Sequence, residues 1–260
     1  METEFITSEI IAIANTLGAC SSLQPSPVVD GALTRLVEII LTTPRDIATE
    51  VMTALRQEGI IERLQNYAMT AETALEHTWT HAFLQQSSLS WSDVKTFQYF
   101  LCYQALTALE MAELRTAAEP ILFVGGGALP LSALIMAHDY NQPVRVIDND
   151  ADAVVGATAL VTALGLNHLV EVVLCDVLDY IPTETNIILA AMVGGTSSAK
   201  SQVIKHLFTV SQRNTVALMR GVSGLAELLY IPQPPVKDWT ELKTLSDLTV
   251  INCVHVWKKN

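Results

Sequence analysis

Hydrophobic residues in the first part of the chain recur at spacings of three and four, the pattern of helices that bury one face. The clearest of these stripes opens the chain and consists of Phe5, Ile6, Ile10, Ile13 and Leu17. Comparable patterns continue to about residue 117, with few of the alternations that strands show. We therefore predict an all-α N-terminal domain over residues 1–117.

Helix boundaries in this region are predicted from capping residues. Two long helical patterns run from about residue 60 to 86 and from 92 to 118, and Ser92 is a suitable N-cap for the second. Another helix is predicted to open at Thr43, with Pro44 at its first position, where the missing N–H of proline costs no hydrogen bond.

The hydrophobic pattern changes at Pro120. From here the chain carries short β-rich runs separated by helical segments, namely ILFV, VRVI, VEVVL, NIILA and TVALM. This alternation predicts a parallel sheet flanked by helices, which is a Rossmann-like α/β domain over residues 118–260. The final run, LTVINCVHVWKK, predicts a last strand in an antiparallel edge hairpin.

Three glycines follow the first predicted strand, at Gly125, Gly126 and Gly127. Glycine lets the backbone turn sharply and approach a ligand closely, and the helix that follows offers free N–H groups. Asp148 and Asp150 end the second strand, where a carboxylate can accept hydrogen bonds from ribose hydroxyls. The arrangement predicts a nucleoside cofactor, although such a turn can also occur without a ligand.

The rest of the turn narrows the choice of cofactor. Leu129 and Pro130 complete it, and proline stands where the dinucleotide pattern GxGxxG has its last glycine. S-adenosylmethionine, which has no pyrophosphate, is therefore favoured. Asp176 follows the third strand, where such folds contact the adenine amine, and backbone contacts to the cofactor are expected after the fourth strand, at Met192, Val193 and Gly194.

Composition limits the classes of partner. Half of the residues are hydrophobic and 16% are charged, as in a well-buried globular enzyme. The net charge of −12 opposes binding to nucleic acid and weakly favours a cationic small molecule.

No apolar run is long enough for a membrane segment, and the acidic N-terminus is unlike a secretory signal, so a cytoplasmic location is expected. The four cysteines have no metal-binding spacing and are expected to be reduced.

Several segments match the motifs of one known family. FVGGGALPLSALIMA is similar to FVGSGPLPLT, and IILAAMVG and VALMRGVSGLAELLYIP are similar to LAALVG and LMLRSAHGARAFLYP. Upstream, FQYFLCYQALTALEMAEL resembles FPYYxNYxxLxxLE. In these segments the chain resembles the nicotianamine synthases. The resemblance covers roughly residues 97–257 and is far more specific than a lone glycine turn.

This resemblance implies an S-adenosylmethionine-dependent transferase domain behind a helical domain that covers the cofactor and forms the acceptor pocket. The reaction implied is transfer of the 3-amino-3-carboxypropyl (aminobutyrate) group to an amine, with release of 5′-methylthioadenosine. The chain's size and its GGGA turn resemble the bacterial branch, the histidine 2-aminobutanoyltransferases of opine metallophore biosynthesis (staphylopine, pseudopaline and yersinopine). That branch implies histidine as acceptor, with L-histidine favoured, and an opine dehydrogenase as the downstream partner.

The resemblance also implies roles for individual side chains. Glu110 is the matched candidate for holding the acceptor amine and taking its proton, and Tyr103 would bond the amine or the methionyl group of the cofactor. Tyr99 lies one turn earlier and is a further candidate for substrate contact. Arg220, at the end of the fifth strand, would clamp a substrate carboxylate, and an ion pair is its alternative role.

His77 and His81 lie four residues apart on a predicted helix, but two histidines without a third ligand do not indicate a metal site. We expect His81 to line the acceptor pocket and no metal to be required. Three alternatives stay open: nicotianamine synthase proper, a small-molecule N-methyltransferase, and a binding protein without catalysis. A homodimer formed through the apolar N-terminal domain also stays open.

Overall fold

The computed structural model describes residues 2–114, 119–234, 236, 239–247 and 249–260. These residues form two compact units. The first, called the helical unit here, comprises Met1–Leu75 and Val222–Pro232, and the second, called the sheet unit, comprises Glu76–Gly221 and Gln233–Asn260. The division differs from the predicted boundary at 117/118, because residues 76–114 belong with the sheet.

The helical unit contains α1 (Glu2–Ala19), α2 (Pro27–Thr42), α3 (Arg45–Gln57) and the first part of α4 (Ile60–Leu84). Its core is built from the predicted apolar stripes, although Phe5, in the first turn of α1, is 66% exposed. The core side chains of these helices with no exposed surface are Ile10, Ala14, Leu36, Val51, Leu55 and Leu64.

The segment Val222–Pro232 joins the helical unit through hydrogen bonds to its helices. The amide of Gln65 donates to the carbonyl of Glu227 at 2.7 Å, and the hydroxyl of Tyr230 donates to the carboxylate of Glu72 at 2.9 Å. A segment that directly follows a strand of the sheet therefore belongs to the other compact unit, which no sequence pattern indicates.

Two of the predicted helix boundaries differ from the observed ones. Thr43 ends α2, since its N–H and its hydroxyl donate to the carbonyl of Ile39 at 3.1 and 2.6 Å, and Pro44 becomes the N-cap of α3. The predicted helix over 92–118 begins instead as a single turn, α5 (Trp91–Val94), and continues after a break as α6 (Phe100–Glu113). Residues 115–118 lie outside the described part of the chain.

Ser90, rather than Ser92, is the N-cap of α5. Its backbone N–H and its hydroxyl both donate to the carboxylate of Asp93, at 2.9 and 2.5 Å. This capping box satisfies backbone N–H groups at the start of α5 and fixes the helix start at Ser90.

The sheet has seven strands in the order β3-β2-β1-β4-β5-β7-β6. Strands β1 to β5 are parallel, and β7 runs antiparallel to both β5 and β6. The predicted α/β fold, its five parallel strands and the closing antiparallel hairpin are thus confirmed. The strand bounds are β1 (Ile121–Val124), β2 (Val144–Asp148), β3 (Val170–Leu174), β4 (Asn186–Leu189), β5 (Val216–Gly221), β6 (Trp239–Leu245) and β7 (Cys253–Lys259).

Helices cover both faces of this sheet. They are α7 (Leu131–Tyr140), α8 (Ala151–Ala163) and α9 (Ser197–Val210), which connect successive parallel strands. Strands β1 and β4 are buried at every position, as expected for the centre of a parallel sheet. Within the described residues, no helix is both long enough and apolar enough to cross a membrane.

Candidate cofactor and substrate site

The strand order creates a crevice at the carboxyl ends of the central strands β1 and β4. From β1 the chain crosses through α7 to β2 on one side, whereas β4 lies against the other side of β1. In open α/β sheets, ligands bind at such a switch point, outside the carboxyl ends of the strands. The glycine turn follows β1 at this point, and residues 190–195 follow β4 beside it.

Each glycine of the turn lies too close to a different neighbour to carry a side chain. A β-carbon at Gly125 would lie 2.3 Å from Cγ2 of Val193, and one at Gly126 would lie 2.2 Å from Cγ1 of Val146. Gly125 and Gly127 also have positive φ angles of 83° and 63°, which other residues rarely adopt. The backbone is therefore held in a conformation that only glycine permits.

Asp148 connects this turn to the end of β2. One carboxylate oxygen accepts the N–H of Gly127 at 2.8 Å and the other accepts the N–H of Asp150 at 3.0 Å. A carboxylate has about four acceptor positions, so the half-buried Asp148 keeps capacity for a ligand hydroxyl.

The other two predicted acidic residues are exposed and cap local structure. Asp150 accepts the N–H groups of Asp152 and Ala153 at the start of α8, at 2.9 and 3.2 Å. Asp176 accepts the N–H of Leu178 at 2.9 Å after β3. Both lie at the carboxyl edge of the sheet, whereas Leu129 and Pro130 are buried under the turn.

A buried lysine supports the loop after β4 through a hydrogen bond to its backbone. Lys200 is 1% exposed, and its ammonium group donates to the carbonyl of Ala191 at 2.9 Å. Burial lowers the pKa of Lys200 to about 8. Met192, Val193 and Gly194 follow Ala191 and are half-buried, and Gly194 has a φ of 93° with its α-carbon packed against the backbone of Lys200.

Glu76 is a buried carboxylate that the sequence did not single out. It is 8% exposed on α4, and a β-carbon at Gly127 would lie 2.1 Å from its Oε2 atom. One turn later, the buried hydroxyl of Thr80 donates to the carbonyl of Ala128 at 2.8 Å. The sequence contains a signal for this position. Glu76, Thr80 and Phe83 are spaced by four and three residues, so they lie on one face of the helix. Glu76 and Thr80 are therefore polar residues at positions where a buried helix face usually carries apolar ones.

Glu110 and Arg220 form a buried, bidentate ion pair. Nε and Nη2 of Arg220 donate to the two carboxylate oxygens of Glu110 at 2.7 and 2.8 Å, and Nη2 also donates to the hydroxyl of Ser132 at 2.7 Å. The relative exposure of Glu110 is 0% and that of Arg220 is 5%. Both residues are predicted from the sequence to contact substrate, with an ion pair as the alternative for Arg220, and in the structure the two ionic groups face one another.

The remaining predicted substrate residues lie on α6 and α4. Tyr103 is half-buried on α6, with its ring centroid 6.0 Å from the guanidinium carbon of Arg220. Tyr99 is half-buried at the N-cap of α6, and its ring packs against Phe97. His81 is exposed on α4. Among the residues that the structure describes, no group of three or more His, Cys, Asp and Glu side chains is arranged to hold a metal ion.

The fold defines the class to which the chain belongs. A structure of a mutant of MtNAS in complex with S-adenosylmethionine has a TM-score of 0.85 at 20% sequence identity, covering 97% of each chain. MtNAS in complex with MTA and tNA has a TM-score of 0.87 with the same identity and coverage. The architecture is therefore that of the α/β S-adenosylmethionine-dependent methyltransferase-like proteins, with a helical N-terminal region.

The family is identified from the sequence. The family model described as nicotianamine synthase protein matches residues 1–260. Nicotianamine synthase 9 of Hordeum vulgare is 28% identical over 256 residues, covering 94% of this chain and 73% of the relative. Nicotianamine synthase 1 of Arabidopsis thaliana is 26% identical, with 96% and 80% covered. The chain belongs to the nicotianamine synthase family.

Replacing Gly127 tests the contact between the turn and Glu76. Because the obstructing atom is the end of a flexible side chain, we expect Gly127→Ala to displace the Glu76 carboxylate and to weaken S-adenosylmethionine binding about tenfold, or about 1.4 kcal/mol. Gly165→Ala is the matched control, since Gly165 has a φ of 68° but no atom within 4 Å of an added β-carbon.

Both glycine variants should lose about 1–2 kcal/mol of unfolding free energy from the backbone alone. Urea unfolding and isothermal titration calorimetry measure the two effects separately. Equal binding losses in Gly127→Ala and Gly165→Ala would contradict a specific contact at Gly127.

The buried ion pair is tested by a double-mutant cycle. Glu110→Leu or Arg220→Met alone should lower the free energy of unfolding by about 3–5 kcal/mol, because each leaves an uncompensated buried charge. The double variant should lose clearly less than the sum of the two. Urea denaturation measures all four proteins, and additive losses would show that the two charges do not depend on each other.

Proposed function

We propose that the protein transfers the 3-amino-3-carboxypropyl group of S-adenosylmethionine to an amine and releases 5′-methylthioadenosine. The observation that carries this proposal is membership of the nicotianamine synthase family over residues 1–260. Solved relatives of the same fold, described as complexes with S-adenosylmethionine and with MTA and tNA, agree with it. The sulfonium of S-adenosylmethionine activates three adjacent carbons, so positioning decides which group is transferred.

We propose that S-adenosylmethionine occupies the crevice beside the glycine turn. The close backbone approach at 125–127 leaves room for a ligand where side chains would stand, and Asp148 offers acceptor capacity for ribose hydroxyls. The loop at 192–194, beside the turn, offers backbone polar groups, and Asp150 and Asp176 complete an acidic edge. These residues suit a neutral ribose and adenine better than a pyrophosphate.

Transfer requires a neutral amine in line with the bond between sulfur and the Cγ methylene, at about 3 to 3.5 Å from that carbon. A general base within hydrogen-bond reach must therefore accept the proton of the incoming ammonium group. We propose Glu76 for this role, because its carboxylate is buried and lies directly at Gly127, in the turn proposed for the cofactor.

Glu110 then acts as a positioning residue. Its side chain has no exposed surface, and its carboxylate is already paired with the cationic Arg220. Arg220 in turn lies 5.1 Å from the ring centroid of Phe123 on β1 and 6.0 Å from that of Tyr103. The pair thus supports Tyr103, for which we retain the proposed contact to the amine or to the methionyl group.

For the acceptor we propose the α-amine of histidine, with L-histidine favoured, in the biosynthesis of an opine metallophore that a downstream opine dehydrogenase completes. The support is the resemblance to the bacterial and archaeal relatives with a GGGA turn, which include the histidine 2-aminobutanoyltransferases, so the acceptor is inferred from the family and not from an individual residue. Tyr99 and the exposed His81 stay proposed acceptor contacts. A second candidate is nicotianamine synthesis itself, in which a second aminobutyrate unit is the acceptor, and the relatives named nicotianamine synthase favour it.

Product analysis separates these reactions. Purified protein is incubated with S-adenosylmethionine plus L-histidine, D-histidine or no added acceptor, and the products are followed by mass spectrometry. We expect 5′-methylthioadenosine together with histidine that carries one aminobutyrate unit. Condensed aminobutyrate without a histidine adduct would establish nicotianamine synthesis instead. S-adenosylhomocysteine as the sole nucleoside product would refute the transfer and indicate a methyltransferase.

A carboxamide at position 76 tests the proton acceptor. Glu76→Gln should lower kcat about 100-fold or more while S-adenosylmethionine binding changes only a few-fold, since an amide retains size but cannot accept the proton. Glu62→Gln, an exposed position on the same helix, is the matched control and should keep full activity. If Glu76→Gln kept the kcat of the parent protein and Glu110→Gln lost it, Glu110 would be the proton acceptor and this proposal would be wrong.

A further inference from the structure

A thiol, an imidazole and a carboxylate are aligned on the closing hairpin of the sheet unit. Sγ of Cys253 lies 3.4 Å from Nε2 of His255, and Nδ1 of His255 lies 2.9 Å from Oε1 of Glu241. None of these residues belongs to the site described above. Thiol, imidazole and carboxylate in this order are the parts of an activated nucleophile, with the carboxylate orienting the base.

Strand geometry explains how these three side chains meet. Cys253 and His255 are two residues apart on β7 and therefore lie on one face. Thr244 pairs with His255 across β6, but Glu241 lies three residues before Thr244 and would lie on the opposite face of a regular strand. The register shifts between Glu241 and Lys243, so Leu242 is the extra residue of a β-bulge, which returns Glu241 to the face of His255.

The end of β5 provides the space for the imidazole ring. Gly221 pairs with Cys253, and a β-carbon at Gly221 would lie 2.6 Å from both Cδ2 and Nε2 of His255. The absence of a side chain at Gly221 therefore lets the ring lie against the strand, with Nε2 toward the sulfur of Cys253. The half-buried thiol lies at the carboxyl end of β5.

Two basic side chains lie around Cys253. Hydrogen bonds to Cys253 and Glu241 raise the pKa of His255 in spite of its partial burial. From α9, the buried Lys200 interacts electrostatically with Cys253. An imidazole within hydrogen-bond reach of a thiol is the base that activates such a nucleophile.

We propose that Cys253 is a reactive thiol site, served by His255 and Glu241, that exchanges with small disulfides. The thiolate of Cys253 attacks one sulfur of the disulfide, a new S–S bond forms, and the original S–S bond breaks. The departing thiolate takes the proton that His255 holds, so the reaction is one thiol plus one disulfide giving one mixed disulfide plus one thiol. This proposal does not depend on the transfer reaction.

The other cysteines are internal controls. Burial raises the pKa of the Cys102 thiol, and burial together with Asp179 and Asp176 raises that of the Cys175 thiol. Cys20 donates to the carbonyl of Thr16 within α1. Cys102 and Cys175 should therefore react more slowly than an ordinary thiol at neutral pH.

The test is the rate of mixed-disulfide formation at each cysteine. The full chain is treated with bis(2-hydroxyethyl) disulfide, and peptide mass spectrometry follows all four cysteines between pH 5.5 and 9, with the urea-unfolded chain as the reference. At pH 7 we expect Cys253 to react about tenfold faster than Cys102 and Cys175. Its rate should fall little between pH 7 and 6, whereas an ordinary thiol loses about tenfold per pH unit below its pKa of about 8.5.

Variants separate the imidazole from simple accessibility. His255→Gln should lower the Cys253 rate at pH 7 about tenfold and move its pH profile to that of an ordinary thiol, and Glu241→Gln should lower the rate several-fold. His168→Gln, at an exposed histidine of the same unit, should change nothing. The proposal is overturned if Cys253 in the parent protein reacts no faster than Cys102, or if folded His255→Gln keeps the parent profile.

Discussion

The close approach of backbone at Gly125, Gly126 and Gly127 is the constraint on which the rest of the sheet unit depends. A side chain at each of these positions would collide with a different element: the loop after β4, strand β2 and helix α4. The three glycines therefore form the point where these elements meet. Because Asp148 also binds the N–H of Gly127, the turn is defined by packing and by a charge-assisted hydrogen bond together.

Buried charges on either side of this turn are each held in a specific way. Glu110 and Arg220 neutralise one another behind β1, where the aromatic ring of Phe123 and the hydroxyl of Ser132 complete the surroundings of the guanidinium. Lys200 is held by the carbonyl of Ala191, and its pKa of about 8 reflects the cost of burying an ammonium group. A buried ion pair adds little net stability, because the cost of removing both charges from water offsets most of their attraction.

Family membership and side-chain geometry answer different questions about function. The family indicates which chemistry to expect, but the site decides which carboxylate can perform it. Glu110 matches a motif and yet is fully buried and paired with Arg220, whereas Glu76 lies at the turn where the cofactor is proposed to bind. A motif match thus identified Glu110 on α6, and the structure adds Glu76 on α4, which lies at the glycine turn.

The amino-acid sequence by itself determined the strands and turns of the sheet unit, although not the helix starts at Pro44 and Ser90. The five β-rich runs, the glycine turn and the antiparallel closing strand were predicted, because alternation, periodicity and glycine act over a few neighbouring residues. Only the tertiary structure decided which distant side chains meet. Glu110 and Arg220 form an ion pair although they are 110 residues apart in the chain. Glu76, on α4, lies against Gly127 in the turn after β1. A β-bulge places Glu241 beside His255. Such pairings follow from the register and packing of whole elements, which no local pattern records.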